Sequence, residues 1–142
     1  MMLGDGLMVL FGAPRPLEDT AGSAVAAARD MLDFLAKFNI DRTAINKPEI
    51  KVGIGIATGE VIAGYAGTQD RATYTCIGDK VNLASRLEAH TKNTDCPILI
   101  DNATRDRIAD QNNTKAIGDV PLKGISDPVA VFSVEHVLNV FN

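Results

Sequence analysis

Cysteine is scarce in this sequence: Cys76 and Cys96 are the only two in 142 residues. Two thiols make no disulfide framework. They read as small buried residues of a chain kept in a reducing, cytoplasmic compartment. Histidine is as rare, and neither His90 nor His136 sits in a metal-ligand pattern, so both read as surface positions. Excess positive charge is lacking too. The 14 Lys and Arg against 18 Asp and Glu leave a formal net charge of −4, which excludes the footprint of a nucleic-acid binder. An anionic ligand would therefore need local positive charge or a metal. No apolar run approaches the length of a membrane span. Met1-Met2-Leu3-Gly4-Asp5 has neither the basic stretch nor the apolar core of a signal peptide. Repeats, low-complexity tracts and clear linkers are missing, and residues 1–142 read as one domain.

What is present is an alternation of strand and helix patterns. Leu7–Phe11 is a short apolar run after a Gly-Asp-Gly turn signal, expected as the second strand of a hairpin whose first strand is mostly absent. Apolar residues at Ala21, Ala24, Val25, Ala28, Met31, Leu32 and Leu35 recur with helical period, predicting a helix over Leu17–Phe38. A polar connection over Asn39–Pro48 follows. Strands are expected at Ile50–Ala57, Glu60–Ala63 and Ala72–Ile77, with a loop at residues 68–71. A helix over Lys80–His90, a strand at Pro97–Ile100 and a short helix at Asn102–Ala109 capped by Asp101 come next. A hairpin around Lys123-Gly124, with strands at Lys115–Val120 and Pro128–Val137, closes the chain. The glycines at 53, 55, 59, 64 and 67 do not match a dinucleotide fingerprint: Gly53-x-Gly55-x-x runs into Thr58, and no helix follows. Strand glycines of this kind allow close backbone approach or a bulge. The fold class expected is a mixed α+β sandwich.

The chemistry concentrates in Ile77-Gly78-Asp79-Lys80-Val81-Asn82-Leu83-Ala84-Ser85-Arg86-Leu87-Glu88. Asp79 is the N-cap candidate of the helix. Leu83, Ala84 and Leu87 form its apolar stripe. Asn82 and Arg86, four residues apart, leave the helix on one side. A carboxamide beside a guanidinium suits charge developing on a ribose oxygen or a phosphate. Read from the residues alone, the pair is also a solvated helix face, which is how most such pairs behave.

Val81–Glu88, together with Gly4-Asp5-Gly6-Leu7-Met8-Val9-Leu10-Phe11-Gly12 and Val52-Gly53-Ile54-Gly55-Ile56-Ala57-Thr58-Gly59-Glu60-Val61, resembles the class III adenylate/guanylate cyclase catalytic domain, in that family's order and spacing. The resemblance implies a ferredoxin-like core with extra C-terminal strands. It also implies conversion of ATP to 3′,5′-cyclic AMP and pyrophosphate in intracellular signal transduction, assisted by two divalent cations, Mg²⁺ or Mn²⁺. It assigns Asp5, at a hairpin tip, to metal, although Gly-Asp-Gly taken alone is a common turn tripeptide, and Asn82 and Arg86 to the ribose and the α-phosphate. Thr75, seven residues before Asn82, falls where the family reads the base, Asp or Thr there going with ATP and Glu with GTP; from the residue alone it is as well a plain β-branched strand position. Lys123 lies near a phosphate-binding lysine whose own position falls at Ile125, and is otherwise a surface turn residue. A homodimer or heterodimer with another cyclase domain is implied, Asp5 of one chain facing Asn82 and Arg86 of the next.

The resemblance also calls for an earlier strand with a first metal aspartate, for helices, and for a substrate-reading lysine ahead of the Gly-Asp-Gly turn. The expectation is a C-terminal part of the catalytic domain, inactive or weak as an isolated chain. Leu7–Phe11 and Val52–Ala57 are then expected to pair with each other or to recruit a strand from a partner. The alternatives are a non-catalytic cyclase-homology module that binds nucleotide or dimerises, and a ferredoxin-like domain unrelated to cyclases.

Overall fold

The computed structural model describes residues 2–3, 5–68 and 73–140, apart from the side chains of residues 2, 3 and 75. Of the loop read at 68–71, residues 69–71 lie outside the described residues. The centre is a four-stranded sheet in the order β3-β6-β8-β7, formed by β3 (Ile54–Ile56), β6 (Ile98–Asp101), β8 (Val129–Val134) and β7 (Thr114–Val120). β3 runs parallel to β6, and the other two pairings are antiparallel. A helix, α1 (Thr20–Ala44), packs Ala21, Val25, Ala28 and Leu32 on Ile98, Ile100 and Val134. A second helix, α2 (Asp79–His90), buries Leu83 and Leu87 with Leu99, Leu122 and Val131. Successive side chains of a strand point to opposite faces. The run Ile98-Leu99-Ile100 therefore feeds both clusters, and each of the three is 0% exposed. The result is the mixed α+β sandwich, with α1 and α2 on opposite faces of the sheet.

Asp19 caps α1 by accepting from the Gly22 amide at 3.0 Å, so the helix starts at Thr20 rather than Leu17. It also runs six residues beyond Phe38. The polar stretch after Phe38 is mostly helix because its side chains fasten the following turn. Asn39 Nδ2 donates to the Ile50 carbonyl, the Ile50 amide donates to Asn39 Oδ1, and Arg42 Nε donates to the Pro48 carbonyl. Polarity there marks a helix end, not a linker.

A first hairpin forms, β1 (Met2–Leu3) against β2 (Gly6–Leu7), but of the strand expected at Leu7–Phe11 only Leu7 is strand. Among the described residues its ladder runs from Leu3–Gly6 to Met2–Leu7. Among the described residues β2 pairs with β1 and β3 with β6, so Leu7–Phe11 and Val52–Ala57 do not pair with each other. A separate hairpin, β4 (Ile62–Ala66) and β5 (Thr73–Ile77), aligns Ile62 with Ile77 and Tyr65 with Tyr74, whose rings meet edge to face at 5.2 Å.

β3 carries Gly55 for a steric reason. A Cβ there would come 2.8 Å from Leu87 Cβ and collide with the α2 backbone at Ala84 and Glu88. The strand lies directly under the helix, and only glycine permits that spacing. The short helix α3 (Asn102–Arg107) follows β6, and Asp101 caps it as expected, accepting from the Thr104 amide at 2.9 Å. His136 is not a free surface residue: its Nε2 lies 2.8 Å from Asp33 Oδ1 on α1. Cys76 is buried, Cys96 is half-buried, and both are free thiols.

Candidate active site

The site is built on α2. Gly78, not Asp79, occupies the N-cap, and no side chain caps this helix; Asp79 is its first helical residue. With φ of 150° at position 78, the chain turns sharply out of β5 into the helix, a conformation that glycine tolerates. Asp79 still favours the helix, as a negative charge in its first turn.

Leu83 and Leu87 face the sheet, which turns Asn82 and Arg86 away from it. Asn82 is exposed and Arg86 half-buried. Among the described residues neither side chain has a hydrogen-bond or ion-pair partner. The Arg86 guanidinium lies against the turn between β7 and β8: a Cβ on Gly124, whose φ is 78°, would sit 4.0 Å from its Nη2. Leu122 plugs into the α2 cluster and holds this turn in place. Lys123, one residue from Gly124, is exposed, and no acidic partner within the described residues neutralises it. Arg86 and the Lys123 turn are therefore brought together, with positive charge open to solvent on one side of the molecule. An anion there would meet a planar guanidinium with several donors, and Asn82 would add one carboxamide.

The other expected residues belong to other elements, Asp5 to the first hairpin and Thr75 to β5. Asp5 is exposed at the tip between β1 and β2, and no hydrogen bond or ion pair joins it to Asn82 or Arg86. The backbone of Thr75 stands opposite Gly64 in the β4–β5 ladder, while its side chain lies outside the described residues. Asp5 is one carboxylate, and no group of three His, Cys, Asp or Glu converges among the described residues. Mg²⁺ is ordinarily held through one or two carboxylates with substrate phosphates and water completing its shell. Among the described residues, this one carboxylate does not by itself fit the two divalent ions that the family resemblance implies.

Sequence reading missed a polar hub beneath the first turn of α2. Asp101 is 3% exposed. Its Oδ1 accepts from the Thr104 amide and from Thr104 Oγ1 at 2.6 Å, and its Oδ2 lies 3.3 Å from Lys80 Nζ. Thr104 Oγ1 lies 2.7 Å from Thr58 Oγ1. With the Thr104 proton engaged by Asp101, Thr58 is the donor. The cap at Asp101 was readable; its link to Lys80 was not, because 21 residues separate them.

The adenylate and guanylate cyclase catalytic domain profile matches residues 1–136. Adenylate cyclase 1 of Rhizobium meliloti is 30% identical over 139 residues, covering 98% of this chain. The chain spans only 21% of that relative's own length. Among solved structures, the guanylyl cyclase Cya2 superposes with a TM-score of 0.81 at 34% identity, over 100% of this chain and 71% of that one. The adenylyl cyclase CyaB from P. aeruginosa gives 0.77 at 28% identity, over 93% and 68%. With residues 1–136 matched by the family profile and its fold shared with Cya2 and CyaB, the chain belongs to the adenylate and guanylate cyclase catalytic domain family.

Proposed function

We propose that this chain supplies the transition-state helix of a nucleotide cyclase acting on ATP. The 3′-oxygen of the ribose attacks the α-phosphorus. The new P–O bond forms as the bond from that phosphorus to the bridging oxygen breaks, and pyrophosphate leaves with the electron pair. The proton of the 3′-hydroxyl passes to solvent. Arg86 donates to the α-phosphate oxygens as charge builds on them, and Asn82 orients the ribose. Lys123 meets the phosphates that depart. Thr75 reads the base, and its hydroxyl can accept from the exocyclic amine of adenine.

The observation that carries this reading is the state of Asn82 and Arg86. Both project from the outer side of a helix whose inner side is fully buried, and neither head group is used by the described fold. A half-buried guanidinium left without an acceptor is suited to an anionic ligand. The relatives include a named adenylyl and a named guanylyl cyclase, so the preference for ATP rests on Thr75. The metal-bearing half of the site is proposed to come from a second cyclase domain, Asp5 of one chain facing Asn82 and Arg86 of the other. Exposed Ile62, Tyr65 and Ile77 on the β4–β5 hairpin give such an assembly apolar surface to bury.

The test is incubation of the chain with ATP and Mn²⁺, scoring 3′,5′-cyclic AMP for the wild type and for Arg86→Ala. Product that vanishes with the variant supports the reading. The single carboxylate at Asp5 favours a second reading, a module that binds nucleotide without turning it over. ATP binding by calorimetry with no product from the wild type would select that reading.

A further inference from the structure

We propose that Lys80 is a positioning residue: its ion pair with buried Asp101 sets the aim of the first turn of α2, and through it the reach of Asn82. This rests on the cyclase reading for its functional consequence, but not for its structural content.

The middle and last turns of α2 are anchored by Leu83 and Leu87, and by the close seat of Gly55 under Ala84, Leu87 and Glu88. The first turn has none of this. Its N-cap is Gly78, which offers no side chain to the free amides. The first backbone bond of the helix, Asn82 N–H to the Gly78 carbonyl, is long at 3.3 Å. Among the described residues the turn's polar side-chain tie is Lys80 Nζ to Asp101 Oδ2 at 3.3 Å.

That tie is built rather than incidental. Asp101 uses its two oxygens for different tasks, Oδ1 for the α3 cap and Oδ2 for Lys80. A buried carboxylate needs a compensating cation, and among the described residues Lys80 is the cation that reaches it. The lysine stem is confined as well. A Cβ on Gly59 would fall 2.6 Å from Lys80 Cγ and 2.9 Å from its Cε, so the stem crosses the chain where position 59 carries no side chain. Thr58, the neighbour of Gly59, closes the circuit by donating to Thr104. At 100° per residue, Lys80 and Asn82 leave the helix on roughly opposite sides. A pull on Lys80 from below therefore fixes the rotation at which Asn82 emerges above. Asn82 needs that constraint, since a displacement of about 1 Å at a reacting group can cost on the order of a hundredfold in rate.

The experiment compares wild type, Lys80→Met and Lys80→Arg in the full chain, with amide hydrogen exchange resolved by residue and with cyclase kinetics. Methionine keeps the stem and removes the charge. The expected result for Lys80→Met is exchange at the Asn82 amide faster by about tenfold, with Leu87 unchanged. Turnover is expected to fall about tenfold with KM for ATP held, because orientation rather than binding is lost. Lys80→Arg restores both. Unchanged exchange at Asn82 in Lys80→Met overturns the tether. Faster exchange with unaltered turnover overturns the positioning role. If the wild type forms no cyclic nucleotide, the cyclase reading fails separately, and the exchange rate at Asn82 alone decides the tether.

Discussion

Arg86 sits half-buried against Gly124 with its guanidinium unclaimed among the described residues, while Leu87 beside it is wholly buried. Replacing Arg86 by Ala should leave the fold intact and cut turnover by about 10²–10³, as loss of one charge-stabilising donor does elsewhere. Initial rates of cyclic AMP formation, set beside an unchanged circular-dichroism spectrum, check both halves. Asp33 makes a prediction of another kind. Hydrogen bonds from the Asn139 amide and from His136 hold its carboxyl below its ordinary 3.8. A carboxylate whose folded pKa lies under its unfolded value stabilises the fold above that unfolded value, and the gain fades as pH falls through the folded pKa. The attachment of the segment around His136–Asn139 to α1 should therefore be complete at neutral pH and weaken below about pH 4. Exchange at the Asn139 amide, followed across that range, reads it directly. That Asn82 and Arg86 leave one side of a helix was legible from their spacing of four. The His136–Asp33 bond was not, because 103 residues separate the partners.

Each element follows its own local rule, and the exceptions are informative. The period of α1 was readable, but its ends were set by Asp19 and by the clasp of Asn39 on Ile50. Asp19→Ala should lower stability by about 1 kcal/mol, the usual cost of a lost N-cap, measured as the midpoint of urea unfolding. Gly55 belongs to the packing of β3 against α2. Gly55→Ala forces a methyl into Leu87 and the helix backbone and should cost about 1–3 kcal/mol. An unchanged midpoint would mean that strand and helix do not lie this close. Asp79 looked like the cap of α2, yet Gly78 took that place, because the turn out of β5 needs a backbone that glycine adopts readily.

For the whole molecule, the proposed site is divided. Asp5 lies on the first hairpin and the Asn82–Arg86 pair on α2, with no bond between them. If two chains complete each other, Asp5→Ala mixed with Arg86→Ala should recover activity that neither variant has alone. Random pairing of equal amounts predicts roughly a quarter of the wild-type rate, since half the dimers are mixed and each carries one intact site of two. No recovery would place the site within one chain or remove Asp5 from it.

By itself the sequence determined the sandwich class, the alternation of helices and strands, the cap at Asp101 and the face shared by Asn82 and Arg86. All of these depend on periods and signals a few residues long, for which chain geometry is enough. Only the tertiary structure decided that Gly55 seats α2, that Lys80 reaches Asp101, and that the Gly124 turn lies against Arg86. Those contacts join residues 21 to 38 positions apart. They exist because burying Leu83, Leu87, Leu99, Leu122 and Val131 together draws their neighbours into contact.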